Sequence, residues 1–184
     1  MSLNVVNPEA IGVFGLCVTV WLLGLEQIGI GVDENTDHVG LNRSLANIAL
    51  IFGGGGQLFT AFCMFFFDMG IPPEARLFSG TVFATYGLFW VVVAMHFFNP
   101  GDKKVYAHFF VTIFFMTGVL AYKHIMVNGN FGALGVVLLL INVLTAILPF
   151  AWYKPNPMLT KIAGATNIAI GLAAIPLMLG VLGI

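Results

Sequence analysis

Six long apolar stretches alternate with short polar spacers along the chain. Each stretch can cross a bilayer, for which about 20 residues suffice. Each must also be helical, because lipid offers the backbone no hydrogen-bond partners and the segment has to satisfy its own N–H and C=O groups. The pattern predicts helices at 8–31, 45–67, 77–98, 104–126, 131–153 and 157–183.

The composition agrees with this pattern. Of 184 residues, 59% are hydrophobic and 8% are charged, whereas a soluble domain carries about 25% charge. We therefore interpret the chain as an all-α integral membrane protein with six transmembrane helices per protomer. Helices and short spacers account for all of residues 1–184, so we predict one transmembrane domain rather than two domains.

Asn-Pro pairs recur before the first, fourth and sixth predicted helices, at residues 7–8, 99–100 and 156–157. The first two positions are those expected if the chain were an internal repeat of two three-helix halves. Asn-Pro is also a general turn and helix-start pair, because proline suits the first turn of a helix. The repeat and the generic interpretation both remain open.

Charge and motif content exclude several function classes. The net charge is −1 and no basic run occurs, so we expect no nucleic-acid partner. No catalytic triad, metal-ligand cluster or phosphate loop can be recognised, and we predict neither enzymatic activity nor a metal or cofactor. A membrane anchor or haem-bearing subunit is a remaining alternative, which would require His96 and His108 to face each other.

The start of the first helix combines a cap with small residues. Asn7 can cap the helix and Pro8 suits its first turn, while Gly12 and Gly15 allow close approach of another helix or a small solute. A helix N-terminus attracts anions. The segment is therefore either a mouth for a small anion or a capped helix packed in a bundle.

Neutral polar side chains occur deep in several predicted helices. Gln57 follows four glycines in the second helix. The other such side chains are Thr19 in the first helix, Thr85 and Tyr86 in the third, Asn142 in the fifth and Asn167 in the sixth. Such groups usually face the interior of a helix bundle. A set of uncharged side chains that can form hydrogen bonds is suited to bind a small polar solute.

Three sequence blocks carry a resemblance to a known family. Residues 7–13 read NPEAIGV, residues 52–57 read FGGGGQ and residues 85–90 read TYGLFW. They resemble the NPAPLGL signature, the aromatic-Gly-Gly…Gln segment and the Ser/Thr-Tyr-Gly-x-Phe-Trp segment of the acetate uptake transporter family, succinate–acetate permease type. Their order, the chain length and the helix count agree with that family.

The resemblance implies a six-helix protomer with its own pore, assembled as a homo-hexamer in the cell (plasma) membrane. It implies transport of acetate and related short monocarboxylates, in some members succinate, either channel-like or linked to protons. It places a pore constriction at Leu16, Tyr86 and Ile141. We predict that substrate contacts fall on Asn7, Pro8, Ile11, Gly12, Gly15, Gln57, Thr85 and Asn142.

The chain also departs from the family pattern. Leu16 replaces the usual Phe, and Glu9 and Ala10 replace Ala and Pro in the signature. A carboxylate at Glu9 would repel an anion. A channel for a neutral small solute, such as urea, an amide or ammonia, is the alternative function. The charge distribution favours an N-terminus outside the cytoplasm, whereas the resemblance implies a cytoplasmic one.

Overall fold

A computed structural model describes residues 8–184. Within this part, six helices are long and apolar enough to cross a membrane, which confirms the predicted fold class. We number them in chain order: α1 Glu9–Ile28, α2 His38–Phe66, α3 Pro73–Phe98, α4 Lys103–Val127, α5 Ala133–Tyr153 and α6 Pro157–Leu182.

Three of the predicted helix ends were wrong, and local chemistry explains each. α1 ends at Ile28 because Gly29 adopts a left-handed conformation with φ 90°, which favours glycine. α2 begins at His38 rather than at residue 45, because the Asp37 carboxylate accepts a hydrogen bond from the Val39 N–H at 3.0 Å. α3 begins at Pro73 rather than at residue 77, since proline fits the first helical position.

The six helices form a ring in chain order. Each helix packs against its chain neighbours, and α1 packs along α6 to close the circle. The contact between α3 and α4 is made by side chains: the Phe89 and Phe110 rings lie 5.9 Å apart, and Tyr86 bonds Thr117. Successive spans run in opposite directions, so α1, α3 and α5 all begin on the same side of the molecule.

α2 changes its winding in the middle. Residues Ala49–Gly56 form a π-helical segment, which contains all four glycines of the glycine run. Glycine stabilises an α-helix poorly, and π-helical turns are frequent at functional sites. The segment lies between α1 and α3, and it ends directly before Gln57.

Candidate functional site

A cavity of about 60 Å³ opens inside the ring near the start of α1. Side chains from α1, α2, α3, α5 and α6 line it, and they are mostly aliphatic or aromatic. Leu16, Tyr86 and Ile141, from three different helices, are among these residues. The three positions expected to form a constriction therefore face one space, although their role as a constriction stays a prediction.

Tyr86 is held in place by a buried hydrogen bond. Its hydroxyl donates to the Thr117 Oγ1 at 3.0 Å, which joins α3 to α4. Both side chains are buried, and a buried phenol normally needs such a partner. The hydroxyl is thus used for helix packing, while the ring contributes to the wall of the cavity.

Gln57 brings a polar group to the same cavity. The side chain is 1% exposed and lines the cavity wall. Among the described residues, its Oε1 has no hydrogen-bond partner. A buried amide oxygen without a partner lowers stability, so Gln57 is suited to bind water or a polar solute.

The start of α1 is tied to α2 and α3. The Pro8 carbonyl accepts a hydrogen bond from the Thr60 hydroxyl at 2.9 Å. A Cβ on Gly12 would meet the Phe83 ring, and a Cβ on Gly15 would collide with the Phe52 carbonyl oxygen. Both glycines therefore allow close packing of helices, and a direct contact with substrate stays a prediction.

Three other predicted contacts lie away from this cavity. Ile11 is 47% exposed on the outside of α1. Thr85 is half-buried. As the chain neighbour of Tyr86, it lies about 100° from it around the helix axis. The Asn142 Nδ2 donates to the Phe114 carbonyl at 2.8 Å, which joins α5 to α4. None of these three residues lines the first cavity. Asn7 lies outside the described residues.

A second, smaller cavity lies further along the ring axis. Its lining residues lie one or two helical turns beyond those of the first cavity on the same helices. The corresponding pairs are Leu16 and Leu23, Tyr86 and Trp90, and Ile141 and Leu144. This cavity measures about 40 Å³. It shares residues with a vestibule of about 520 Å³ at the opposite end of the molecule. The first and second cavities have no lining residue in common. We call the three spaces, taken in this order, the path.

Charged side chains lie at both ends of this path. Glu9 lines the first cavity, whereas the opposite vestibule is lined by Glu26, His96 and Lys103. His96 is buried between the rings of Tyr106 and Trp152, at 4.4 and 4.6 Å. A small anion leaving or entering by the vestibule would therefore meet a cation and an imidazole, and also the carboxylate of Glu26.

The two histidines do not face each other. His96 is buried beside the path, whereas His108 lies on the exposed surface of α4, 5.4 Å from the Tyr153 ring. The geometry required for a bis-histidine haem is absent for this pair. In the described part of the chain, no group of three or more His, Cys, Asp or Glu residues could hold a metal ion.

Several residues on the path were not predicted as site residues. Ser79 lines the first cavity, while Gln27 and Trp90 line the second. Asn167, which was predicted to face the bundle interior but not to contact substrate, also lines the second. Helical spacing from the expected constriction could have found Trp90, because it lies one turn beyond Tyr86. Nothing comparable links Gln27 to Asn167, which are 140 residues apart and joined by a hydrogen bond.

The chain is similar to a known protein in structure, whereas no sequence match is found. No protein-family model and no curated protein matches the sequence of the chain. A solved structure does match its fold: "Structure of the bacterial acetate channel SatP". The similarity has a TM-score of 0.75 and 19% sequence identity, and it covers 95% of this chain and 90% of that one. The chain, with its six helices long enough to cross a membrane, therefore shares the fold of that channel.

Proposed function

We propose that this protein carries acetate and related short monocarboxylates across a membrane, through a pore enclosed by its own six helices. The observation that carries the proposal is that Leu16, Tyr86 and Ile141 line one cavity inside the ring. The shared fold with a bacterial acetate channel supports the same solute class. The resemblance of three sequence blocks supports it independently of the fold.

The cavity offers both kinds of contact that acetate needs. The Gln57 amide and the Ser79 hydroxyl can bind a carboxyl group, while Leu16 and Ile141 can surround a methyl group. The N-terminus of α1, with Asn7 and Pro8 before its first turn, adds a dipole that attracts carboxylates. The solute would shed water at the ring of Tyr86 and continue to the vestibule near Lys103.

The proposal extends to the assembly. We propose that residues 1–184 act as one transport domain, that the protomers associate as a homo-hexamer, and that the protein resides in the plasma membrane. Each protomer would contain its own path, since all the cavities described above lie within one ring of helices.

Uptake by liposomes that contain the purified protein tests this function. We expect labelled acetate to enter faster than into protein-free vesicles, and we expect unlabelled acetate to compete. Uptake no faster than in empty vesicles would contradict the proposal.

A channel for a neutral solute is the second candidate. It is favoured by one observation: of the described residues that line the second cavity, none is charged. Urea then serves as the competitor that separates the two functions. Inhibition of labelled acetate uptake by acetate but not by urea favours the carboxylate, whereas uptake of labelled urea without uptake of labelled acetate favours the neutral solute.

A further inference from the structure

The second cavity lies between the first cavity, which Tyr86 lines, and the opposite vestibule. Its volume of about 40 Å³ exceeds the roughly 10–15 Å³ that a single water molecule requires. Leu23, Leu144 and Leu148 supply an apolar part of its wall. It is therefore large enough for a polar group with a small apolar substituent.

Two buried polar atoms at this cavity lack partners. Trp90 is 4% exposed and Asn167 is 3% exposed. Within residues 8–184, neither the Trp90 Nε1 nor the Asn167 Oδ1 has a hydrogen-bond partner. The first atom can only donate and the second accepts. Native proteins rarely leave such groups unsatisfied. The wall of one small cavity therefore includes two side chains, one with an unpaired donor and one with an unpaired acceptor.

The orientation of Asn167 follows from a neighbouring amide. The Asn167 Nδ2 donates to the Gln27 Oε1 at 2.9 Å. That bond occupies the nitrogen and leaves the oxygen as the atom without a partner. The ring of Trp90 is positioned by Gly53, where a Cβ would lie 2.6 Å from its Cγ. The glycine run of α2 therefore places the indole.

A bare carboxylate does not fit these groups. It accepts hydrogen bonds only, so it could use the Trp90 N–H but would oppose the Asn167 Oδ1. Burying an anion without a countercharge is costly, and the described residues that line this cavity include no charged side chain. An undissociated carboxylic acid has one acceptor oxygen and one O–H donor, which match the two atoms.

We infer that this cavity is a second solute site, specific for the undissociated carboxylic acid or an isosteric primary amide. The inference rests on the proposed function. The Trp90 N–H donates to the carbonyl oxygen of the acid, and the acid O–H donates to the Asn167 Oδ1. The methyl group contacts the leucines. The solute therefore passes this point with its own proton.

Competition in proteoliposomes tests the site, with labelled acetate as the transported solute. Acetamide serves as the neutral isostere and methanesulfonate as an analogue that is always an anion. The variant Trp90→Phe removes the N–H and keeps a ring. Trp21→Phe is the matched control, because Trp21 is 40% exposed on α1 and does not line the cavity.

We expect acetamide to inhibit acetate uptake more strongly than methanesulfonate does. Loss of one buried hydrogen bond corresponds to about a fivefold to tenfold weaker affinity. Trp90→Phe should therefore raise both the half-saturation concentration of acetate and the inhibition constant of acetamide by that factor. Trp21→Phe should change neither. Asn167→Leu removes the acceptor and repeats the test if Trp90→Phe does not fold.

Distinct results separate the two proposals. Absence of acetate uptake by the wild-type protein overturns the proposed function. The second site is overturned, and the function left standing, if Trp90→Phe and Asn167→Leu take up acetate normally and both constants stay within twofold of wild type. These constants are the half-saturation concentration of acetate and the inhibition constant of acetamide. Stronger inhibition by methanesulfonate than by acetamide shows that the site takes the anion, and also overturns the inference.

Discussion

The hydroxyl group and the ring of Tyr86 have different roles. The hydroxyl joins α3 to α4 through Thr117, and the ring lines the first cavity beside Leu16 and Ile141. Substitutions can therefore separate the stability of the bundle from the width of the path.

Tyr86→Phe removes only the hydroxyl, so it should lower stability by about 1 kcal/mol and leave solute selection unchanged. Tyr86→Ala also removes the ring and should cost about 3–5 kcal/mol, while admitting a bulkier acid such as benzoate. Melting temperatures in detergent and uptake of acetate and benzoate measure both effects. Entry of benzoate through Tyr86→Phe, or its exclusion by folded Tyr86→Ala, would show that the ring does not limit the path.

Glu9 places a carboxylate in the wall of the first cavity. At an effective dielectric constant of about 20, two charges about 8 Å apart repel by about 2 kcal/mol. A dicarboxylate feels this repulsion twice, so Glu9→Gln should raise the ratio of succinate to acetate uptake by about 30-fold.

The control for this substitution is Glu74→Gln. Glu74 is exposed in the first turn of α3, on the same side of the molecule, and it does not line the cavity. An equal change of the uptake ratio in both variants would mean that general surface charge, rather than Glu9, selects the solute.

At the scale of the elements, the glycines of α1 and α2 determine how closely these helices approach. Gly15 of α1 lies against the backbone of the π-helical segment of α2, and Gly53 of that segment lies against the ring of Trp90. The same close packing therefore stabilises the ring and positions side chains on both cavities.

Gly15→Ala should destabilise the protein by about 1–3 kcal/mol, the usual range for overpacking, because a backbone carbonyl cannot turn aside as a side chain can. Gly180→Ala is the control: within the described structure, a Cβ there would have no heavy-atom neighbour within 4 Å. The melting temperature in detergent measures both. A similar temperature for Gly15→Ala and wild type would contradict the close α1–α2 contact.

At the scale of the whole molecule, the path has acidic groups near its two ends. Glu9 lines the first cavity and Glu26 lines the opposite vestibule. Between them, the second cavity has no charged side chain among its described lining residues. A proton relay through the protein would need a titratable group along the path, so a solute that brings its own proton is the simpler arrangement.

Acetate should consequently follow its own gradient, and Glu26→Gln should lower the flux only a few-fold. Vesicles with an imposed pH gradient test this, after correction for free diffusion of acetic acid. Uphill accumulation that survives the correction and disappears in Glu26→Gln would identify a proton symporter and a relay at Glu26.

Much of the architecture could be predicted from the sequence. The lipid core requires long apolar helices, so six such stretches were sufficient to predict six spans. The predicted starts of α2 and α3 differ by several residues from the observed ones, which Asp37 and Pro73 determine. The NPEAIGV, FGGGGQ and TYGLFW blocks indicated a transport path, and Leu16, Tyr86 and Ile141 do share a cavity wall.

Only the tertiary structure decided which side of each helix faces the path. In a membrane, lipid is as apolar as a helix interface, so hydropathy does not distinguish the inner from the outer face. For this reason Ile11 was expected at the substrate but lies outside. Gln27 was missed, and Asn167 was expected to face the bundle interior but not to pair with Gln27 beside the second cavity. Such pairings depend on the rotation of each helix about its axis, which long-range packing sets.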